Sequence, residues 1–234
     1  MGISLNIATQ LARVAPMLSE CTNGIMLGRQ KMHFGPPRWT PRLINSLSGL
    51  GISATPETIF QEDGFCETYL ETIGWPKLES LDFSDIEGAE YIQDLGETLD
   101  DQLVGRFDLI YDGGTSEHVF DIAQCFRNVD AMLMDEGIFV SCIGTDGWFG
   151  HGFYQIGPDV PWRYWVASRG YKMLGCWTFS RKGRDAPRVI EDPTHSARGA
   201  EHRYDDPQFL FYMVQKQKRT DAPAPVIQSH YIDY

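Results

Sequence analysis

Two segments of this sequence hold side chains that can exchange a proton with a bound molecule. Glu117 and His118 stand shortly after the run Asp112-Gly113-Gly114, separated from it by two residues, and His151 and Tyr154 stand in a later segment rich in glycine and aromatic residues. An imidazole suits general base catalysis, and a phenol suits orientation of a substrate. These four side chains are the candidates for catalysis, with Glu117 able to orient a histidine.

A strand–helix–strand unit is predicted to position these residues. The apolar run 107–111 ends at a glycine turn, which is typical of a buried strand of a parallel sheet. Thr115 or Ser116 can cap an amphipathic helix that follows, with Glu117 in its first turn, where a carboxylate also complements the helix dipole. Residues 138–143 predict the next strand. Two strands joined in this way are parallel, so residues 112–118 and 144–151 are expected at one mouth.

Other predicted strands also end near carboxylates or glycine. Residues 77–82 predict a strand that ends on Asp82, and residues 89–96 predict one that carries Asp94 near its end. A short apolar run at 25–27 ends at Gly28. Because ligands of such sheets bind beyond the carboxyl ends of parallel strands, these side chains are expected around one site.

The stretch FDLIYDGGTSEHV, its amphipathic helix and the following MLMDEGIFV resemble the fourth and fifth strands of class I S-adenosylmethionine-dependent methyltransferases. The similar strand order extends over roughly residues 24–215. The resemblance implies a doubly wound, mostly parallel, seven-stranded sheet of the Rossmann-like α/β class. It also implies S-adenosylmethionine as cofactor and a small molecule as methyl acceptor.

The same resemblance implies roles for residues at the strand ends. Asp82 matches the carboxylate that accepts hydrogen bonds from both ribose hydroxyls of the cofactor, with Phe83 packed beneath the adenine. Asp94 matches the carboxylate that accepts from the adenine amine, and the backbone N–H of Leu95 meets the ring. The other residues of the implied cofactor site are Gly28, Arg29, Gln30, Asp112, Gly113 and Gly114.

The loop after the first strand departs from the family pattern. These enzymes usually carry several glycines here, since glycine lets the backbone approach the amino-acid end of the cofactor. This chain keeps only Gly28, followed by Arg29 and Gln30. Arg29 could meet the cofactor carboxylate with its planar guanidinium, or it could be a surface charge.

The chain is expected to divide into three parts. Residues 1–22 predict an amphipathic helix that acts as an N-terminal lid or covers the sheet, and residues 217–234 predict a tail. Residues 23–216 form the α/β domain, with a loop and helical element inserted at 31–60. Within it, the polar stretch 180–206 predicts a flexible hairpin, where His195 and His202 are expected in solvent.

Composition limits the classes of function. The 234 residues, of which 42% are hydrophobic, suit one α/β domain with an elaboration. A net charge of −12 argues against tight non-specific binding to nucleic acid or an anionic membrane. The sequence holds neither a long apolar run nor a secretory signal, and its scattered cysteines are typical of reduced thiols. We therefore expect a cytoplasmic protein; a homodimer is permitted but not indicated.

Three alternatives to methyl transfer stay open. The cofactor's own amine or carboxylate could be the nucleophile, which would be intramolecular alkylation or lyase chemistry. The degenerate glycine loop also fits a non-catalytic, methyltransferase-like partner protein. A metal-dependent enzyme would use Glu117 with His33, His118 and His151, but their spacing matches no ligand pattern, so no metal site is predicted.

Overall fold

The computed structural model describes residues 2–33, 39–183, 186–193 and 205–232. His195 and His202 lie outside these residues. The strands, numbered along the chain, are β1 (Gly2–Ile3), β2 (Gly24–Leu27), β3 (Lys31–Met32), β4 (Leu78–Asp82), β5 (Tyr91–Ile92), β6 (Phe107–Asp112), β7 (Leu133–Asp146), β8 (Lys172–Ser180), β9 (Arg188–Val189) and β10 (Gln208–Gln215).

One large sheet organises the molecule, with strand order β5-β4-β2-β6-β7-β10-β8-β9. Strands β5 to β7 in this order are parallel, whereas β10 runs antiparallel to both β7 and β8. The chain moves outward from β2 to β4 and β5, and then returns to place β6 on the other side of β2. This reversal of direction creates the crevice at which open α/β sheets bind ligands. The prediction of a mostly parallel, Rossmann-like α/β sheet is confirmed.

The large sheet has eight strands among the described residues, so the predicted count of seven is wrong. The additional strand is the short edge strand β9. β9 pairs with β8 at Trp177–Val189 and Thr178–Arg188, inside the stretch expected to be a flexible hairpin. Periodicity could not reveal a strand of two exposed residues, because its stability comes from pairing with β8 and not from its own side chains. A separate two-stranded sheet joins β1 to β3.

Helices cover both faces of the large sheet. The α-helices are α1 (Leu5–Val14), α2 (Thr40–Gly49), α3 (Pro56–Ile59), α4 (Glu67–Thr72) and α5 (Ile122–Met132). A π-helix spans Val160–Ser168, and 3₁₀ turns span Ala15–Leu18, Asp101–Leu103, Ser116–His118 and Ser229–Tyr231. No helix in the described part of the chain is long and apolar enough to cross a membrane.

Alternate side chains of the strands pack into two separate apolar cores, one on each face of the sheet. Met26 and Tyr111 point into a core shared with α1, α2 and α4. Ile25 and Ile110 point to the opposite face, where α5 and the π-helix pack. This alternation is the period of two that a strand imposes, and burial on both faces explains why the strands read as continuous apolar runs.

The N-terminal helix α1 covers the sheet. Its apolar side is buried in the first core, and two aromatic side chains are tied to its backbone. The Tyr69 hydroxyl donates to the carbonyl of Ala8 at 2.7 Å, and the Trp75 indole donates to the carbonyl of Leu11 at 3.1 Å. Of the two roles that the sequence allowed, the structure shows this one; it does not show a lid.

The helix after β6 begins later than predicted. Instead of a helix starting at Thr115 or Ser116, residues Ser116–His118 form a 3₁₀ turn and α5 starts at Ile122. The 3₁₀ turn stops at Val119, where the backbone is extended with φ −88° and ψ 120°, and Asp121 caps the helix that follows. The side chain of Asp112 accepts hydrogen bonds from the backbone N–H groups of Thr115 and its neighbours, and these bonds hold the preceding turn.

The cap on α5 gives a first test. Replacing Asp121 by alanine removes the acceptor for the Gln124 N–H, so we expect the free energy of unfolding to fall by about 1 kcal/mol. Urea denaturation followed by circular dichroism measures the change. Asp221→Ala, which alters an exposed residue outside the helices, is the control. Equal stability of the two variants would contradict the assigned cap.

Candidate active site

A cavity of about 480 Å³ lies at the carboxyl ends of β4 and β5, beside the loop that joins β6 to α5. Its volume falls within the usual range for small-molecule sites. The residues that line it are Leu81, Asp82, Phe83, Gln93, Asp94, Leu95, Gly96, Glu97, Thr115, His118, Val119, Phe120 and Asp121. The structure therefore brings together five of the predicted site residues: Asp82, Phe83, Asp94, Leu95 and His118.

Two carboxylates on one side of the cavity have acceptor atoms to spare. Oδ1 of Asp82 accepts from the Phe83 N–H at 2.7 Å, whereas Oδ2 receives only a long contact of 3.4 Å from the Arg29 N–H. Oδ1 of Asp94 accepts from the Gly96 N–H at 2.8 Å. No other hydrogen bond from the described part of the chain reaches the carboxylate of Asp94, so both carboxylates can accept from a ligand.

The opposite wall is anchored to the end of β2. The Thr115 hydroxyl donates to the carbonyl of Leu27 at 2.6 Å, and Gly28 turns away directly beneath it with φ +66°. A Cβ on Gly28 would lie 2.6 Å from the Thr115 hydroxyl oxygen, so no larger residue fits without a shift of this loop. Gly28 thus acts through backbone shape, and it does not line the cavity.

The role predicted for Arg29 has to be revised. Its Nε donates to Glu67 at 2.6 Å, its Nη2 to Asp63 at 2.8 Å, and its Nη1 to the carbonyl of Glu87. The guanidinium also stacks on Phe65, 3.8 Å from the ring centroid. All three nitrogens are engaged within the protein, so this side chain joins the loop after β2 to residues 63–67 and to Glu87, and it does not line the cavity.

Gln30 and Gly113 support the first loop from within. The buried Gln30 amide donates from Nε2 to the carbonyls of Leu27 and Gly28. Gly113 lies against this amide so closely that a Cβ would stand 2.8 Å from it. These two predicted site residues therefore brace the loop, and neither lines the cavity.

Asp112, predicted to border the cofactor, is instead enclosed by its own loop. Oδ1 accepts from the N–H groups of Gly114, Thr115 and Ser116, and Oδ2 accepts from the hydroxyls of Ser116 and Ser141. The side chain is fully buried, and Gly114 closes the turn with φ +97°. With its acceptors occupied, this carboxylate shapes the site without touching a ligand in the cavity.

Glu117 is a second buried carboxylate, but one without hydrogen bonds. Only 1% of its side chain is exposed, and neither oxygen has a hydrogen-bond partner among the described residues. Burial, with the charge of Asp112 nearby, raises the pKa of Glu117 to about 8, although the Gly144 amide approaches and opposes the shift. His151 lies beside it, with Nε2 3.8 Å from Oε1 of Glu117.

The loop after β7 is hydrogen-bonded directly to the backbone of Glu117. The carbonyl of Glu117 accepts from the N–H groups of Phe153 and Tyr154 at 2.9 and 3.2 Å. Gly152 permits the approach, since a Cβ there would lie 2.8 Å from the same carbonyl oxygen. The two segments expected at one mouth therefore do meet, and His151 is held beside Glu117.

The two predicted histidines pack edge to face. The rings of His118 and His151 have centroids 5.1 Å apart with an interplanar angle of 72°. Burial lowers the pKa of both imidazoles, and for His118 the neighbouring His151 adds to the effect. Tyr154 contributes differently, because its hydroxyl donates to the carbonyl of Phe120 at 2.7 Å and thereby supports the cavity rim.

Several lining residues were not predicted from the sequence. Thr115 was assigned a helix-capping role, and Val119 falls within the helix that was predicted to follow this cap. Their true positions depend on the delayed start of α5, which no local pattern revealed. Gly152, beside a histidine in a glycine-rich segment, carried a signal that two backbones approach each other there.

The contrast between Asp112 and Asp94 provides a test. Asp112→Ala leaves buried N–H and hydroxyl groups without an acceptor, so we expect the free energy of unfolding to fall by roughly 3 kcal/mol or more. Asp94→Ala removes an exposed carboxylate with one hydrogen bond and should cost less than about 1 kcal/mol. Urea denaturation of both variants checks this; similar losses would refute the structural role of Asp112.

No protein-family model matches this chain, and no curated protein matches it. Many solved structures do show similarity to it.

Three of these structures illustrate the similarity. The N-methyltransferase NodS from Bradyrhizobium japonicum WM9 is 13% identical, with a TM-score of 0.43 over 91% of this chain and 96% of that chain. The 1,6-didemethyltoxoflavin-N1-methyltransferase from Burkholderia thailandensis, solved with S-adenosylhomocysteine, is 11% identical, with a TM-score of 0.48 over 92% and 78%. A SAM-dependent methyltransferase from Archaeoglobus fulgidus is 9% identical, with a TM-score of 0.48 over 90% and 93%.

The three named structures are methyltransferases. With TM-scores below 0.5, these similarities do not identify the reaction, because one fold can host many functions.

Proposed function

We propose that this protein is an S-adenosylmethionine-dependent methyltransferase that acts on a small molecule. The observation that carries the proposal is the cavity between β4, β5 and the loop after β6. Two carboxylates with free acceptor atoms stand on one side of it, and an imidazole stands on the other. This combination suits a ligand that has several hydroxyl or amino donors at one end and a reacting group at the other.

The carboxylate side of the cavity fits an adenosine group. Asp82, with Oδ2 largely free, can accept from both hydroxyls of a ribose, since a carboxylate takes two donors at once. Asp94 can accept from the exocyclic amine of adenine. Leu95, Val119 and the exposed ring of Phe83 supply apolar surface for the base.

The amino-acid end of the cofactor would be held differently from the sequence-based expectation. Arg29 is engaged by Glu67 and Asp63, and neither arginine nor lysine is found among the residues that line the cavity. No described residue of the loop that follows β2 lines the cavity either, so this end of the cofactor has no assigned partner among the described residues.

The chain's own contribution to methyl transfer would be alignment and proton removal. Bound S-adenosylmethionine supplies an electrophilic methyl group on its sulfonium. His118 lines the cavity, and its lowered pKa favours a neutral imidazole that can take a proton from the acceptor's attacking oxygen or nitrogen. Holding the acceptor in line with the methyl group supplies much of the remaining rate enhancement.

The mouth of the cavity favours a small acceptor. Phe120, which is 75% exposed, and Phe153, which is 63% exposed, pack edge to face with centroids 5.4 Å apart. Exposed rings at a rim suit contact with a flat or apolar compound. The net charge of −12 disfavours a nucleic acid as the acceptor.

The two cofactor-based alternatives would use the same cavity. Intramolecular alkylation and a non-catalytic binding role both retain Asp82 and Asp94 as ligands of adenosine. Consumption of S-adenosylmethionine without an added acceptor would favour the first, and tight binding without turnover in the presence of acceptors would favour the second.

Calorimetric titration with S-adenosylhomocysteine tests the proposal. We expect micromolar binding by the native protein, and binding that is roughly tenfold or more weaker in Asp82→Ala, because the ribose hydroxyls lose their acceptor. Asp85→Ala is the matched control, since this exposed carboxylate lies close in sequence but outside the cavity. Absence of binding by the native protein at millimolar ligand would refute the cofactor assignment.

A further inference from the structure

We infer that Glu117, His118 and His151 form a binding site for a divalent transition-metal ion, with Zn²⁺ as the representative. The sequence spacing of these residues matched no ligand pattern, but the fold gathers them. The inference goes beyond the proposed function and does not depend on S-adenosylmethionine binding.

The ligand atoms are already close together. One carboxylate oxygen of Glu117 and one ring nitrogen of each histidine all lie within 4.8 Å of one another. Ligands held about 2.0–2.1 Å from a zinc ion stand roughly 3.4 Å apart, so the most widely separated pair would have to approach by up to about 1.4 Å. His118 is exposed and the His151 side chain is 34% exposed, which leaves both rings room to adjust.

The second observation is that buried polar atoms of this cluster have no hydrogen-bond partners among the described residues. Both oxygens of Glu117 and Nε2 of His151 are inaccessible to solvent and lack hydrogen-bond partners among the described residues. A buried carboxylate without donors is costly, and native structures rarely leave such groups unsatisfied. A single cation between Glu117 and His151 would satisfy the carboxylate and the imidazole together.

The backbone around the three residues is held in place. The carbonyl of Glu117 accepts from the N–H groups of Phe153 and Tyr154, and the absence of a side chain at Gly152 allows this contact. The loop that carries His151 is thus fastened to the residue that carries the carboxylate. Metal sites need ligands supported in this way, because bond lengths tolerate little error.

The donor set selects the kind of metal. Two imidazoles and one carboxylate suit Zn²⁺, Co²⁺ or Ni²⁺, whereas Mg²⁺ and Ca²⁺ prefer sets made only of oxygen. Three protein ligands leave an open coordination position, as in catalytic zinc sites. His33, the fourth candidate considered from the sequence, is outside this cluster; its backbone N–H donates to Ile3 in the small sheet.

The position of the cluster suggests what the ion would do. His118 also lines the cavity, so an ion bound to it would lie at the cavity wall. Its open position could bind an oxygen or nitrogen of a molecule in the cavity and lower the pKa of that group. This consequence alone depends on the proposed function, under which the bound molecule is the methyl acceptor; an ion bound to His118 would then activate that molecule in place of the imidazole base.

The test uses the full chain after treatment with a chelator and removal of that chelator. Zn²⁺ is titrated against a chromophoric chelator, and Co²⁺ is titrated with detection of its visible absorption, which reports the coordination geometry. We expect one equivalent to bind. Glu117→Gln and His151→Gln keep nearly the same shape, and each should weaken binding by roughly 10- to 100-fold and change the Co²⁺ spectrum.

One control and one further ligand variant separate metal binding from general damage to the fold. His33→Gln removes a histidine outside the cluster and should bind one equivalent with the native spectrum. His118→Gln changes an exposed side chain, so it tests the site even if changes at the buried Glu117 impair folding. Equal binding by all variants, or no binding by the native protein at about 100 µM Zn²⁺, would overturn the inference.

This experiment is independent of the cofactor assay. The zinc titration contains no S-adenosyl compound, and the calorimetric assay depends on Asp82, which is not part of the cluster. Metal binding without S-adenosylhomocysteine binding would refute the proposed function and leave the metal site intact, and the reverse result would do the opposite.

Discussion

The buried carboxylate of Asp112 is the interaction on which the rest of the site depends. It ends β6 and accepts hydrogen bonds from three backbone N–H groups of the loop and from the hydroxyls of Ser116 and Ser141. These bonds hold residues 114–116 in the turn from which the rest of the loop extends. In this loop Thr115 reaches the end of β2, His118 lines the cavity, and Glu117 is buried. The buried Asp112 thus supports the segment that carries the candidate catalytic side chains.

A second constraint arises from the first. Because the loop turns Glu117 inward, a carboxylate is buried where no hydrogen bond from the described residues reaches it. The loop after β7 brings His151 to within 3.8 Å of that carboxylate, and His118 stands beside it. Both oxygens of Glu117 and Nε2 of His151 therefore lack hydrogen-bond partners among the described residues, next to a histidine that lines the cavity. The proposed cation and the proposed adenosine site thus occupy different parts of one crevice, at which the sheet reverses its winding direction.

Residues predicted from the family resemblance divide into two groups. Asp82, Phe83, Asp94 and Leu95 line the cavity, as expected for residues at the carboxyl ends of parallel strands. Arg29, Gln30 and Asp112 instead hold loops together through contacts within the protein. A polar residue in a loop fits either role when only the sequence is known. The residue type gives the hydrogen-bond donors and acceptors, but it does not show which partners they bind.

Patterns within the sequence were enough to predict alternating apolar strands and helices, and hence a mostly parallel sheet with acidic residues gathered at one edge. Local physics suffices for this, since hydrophobic periodicity and glycine turns act over a few residues. The start of α5, the pairing of β9 with the sheet, the contacts of Arg29 with Glu67 and Asp63, and the approach of His151 to Glu117 were visible only in the folded molecule. These outcomes depend on contacts between distant segments, such as the bonds from 153–154 to Glu117, and such contacts have no counterpart in local sequence patterns.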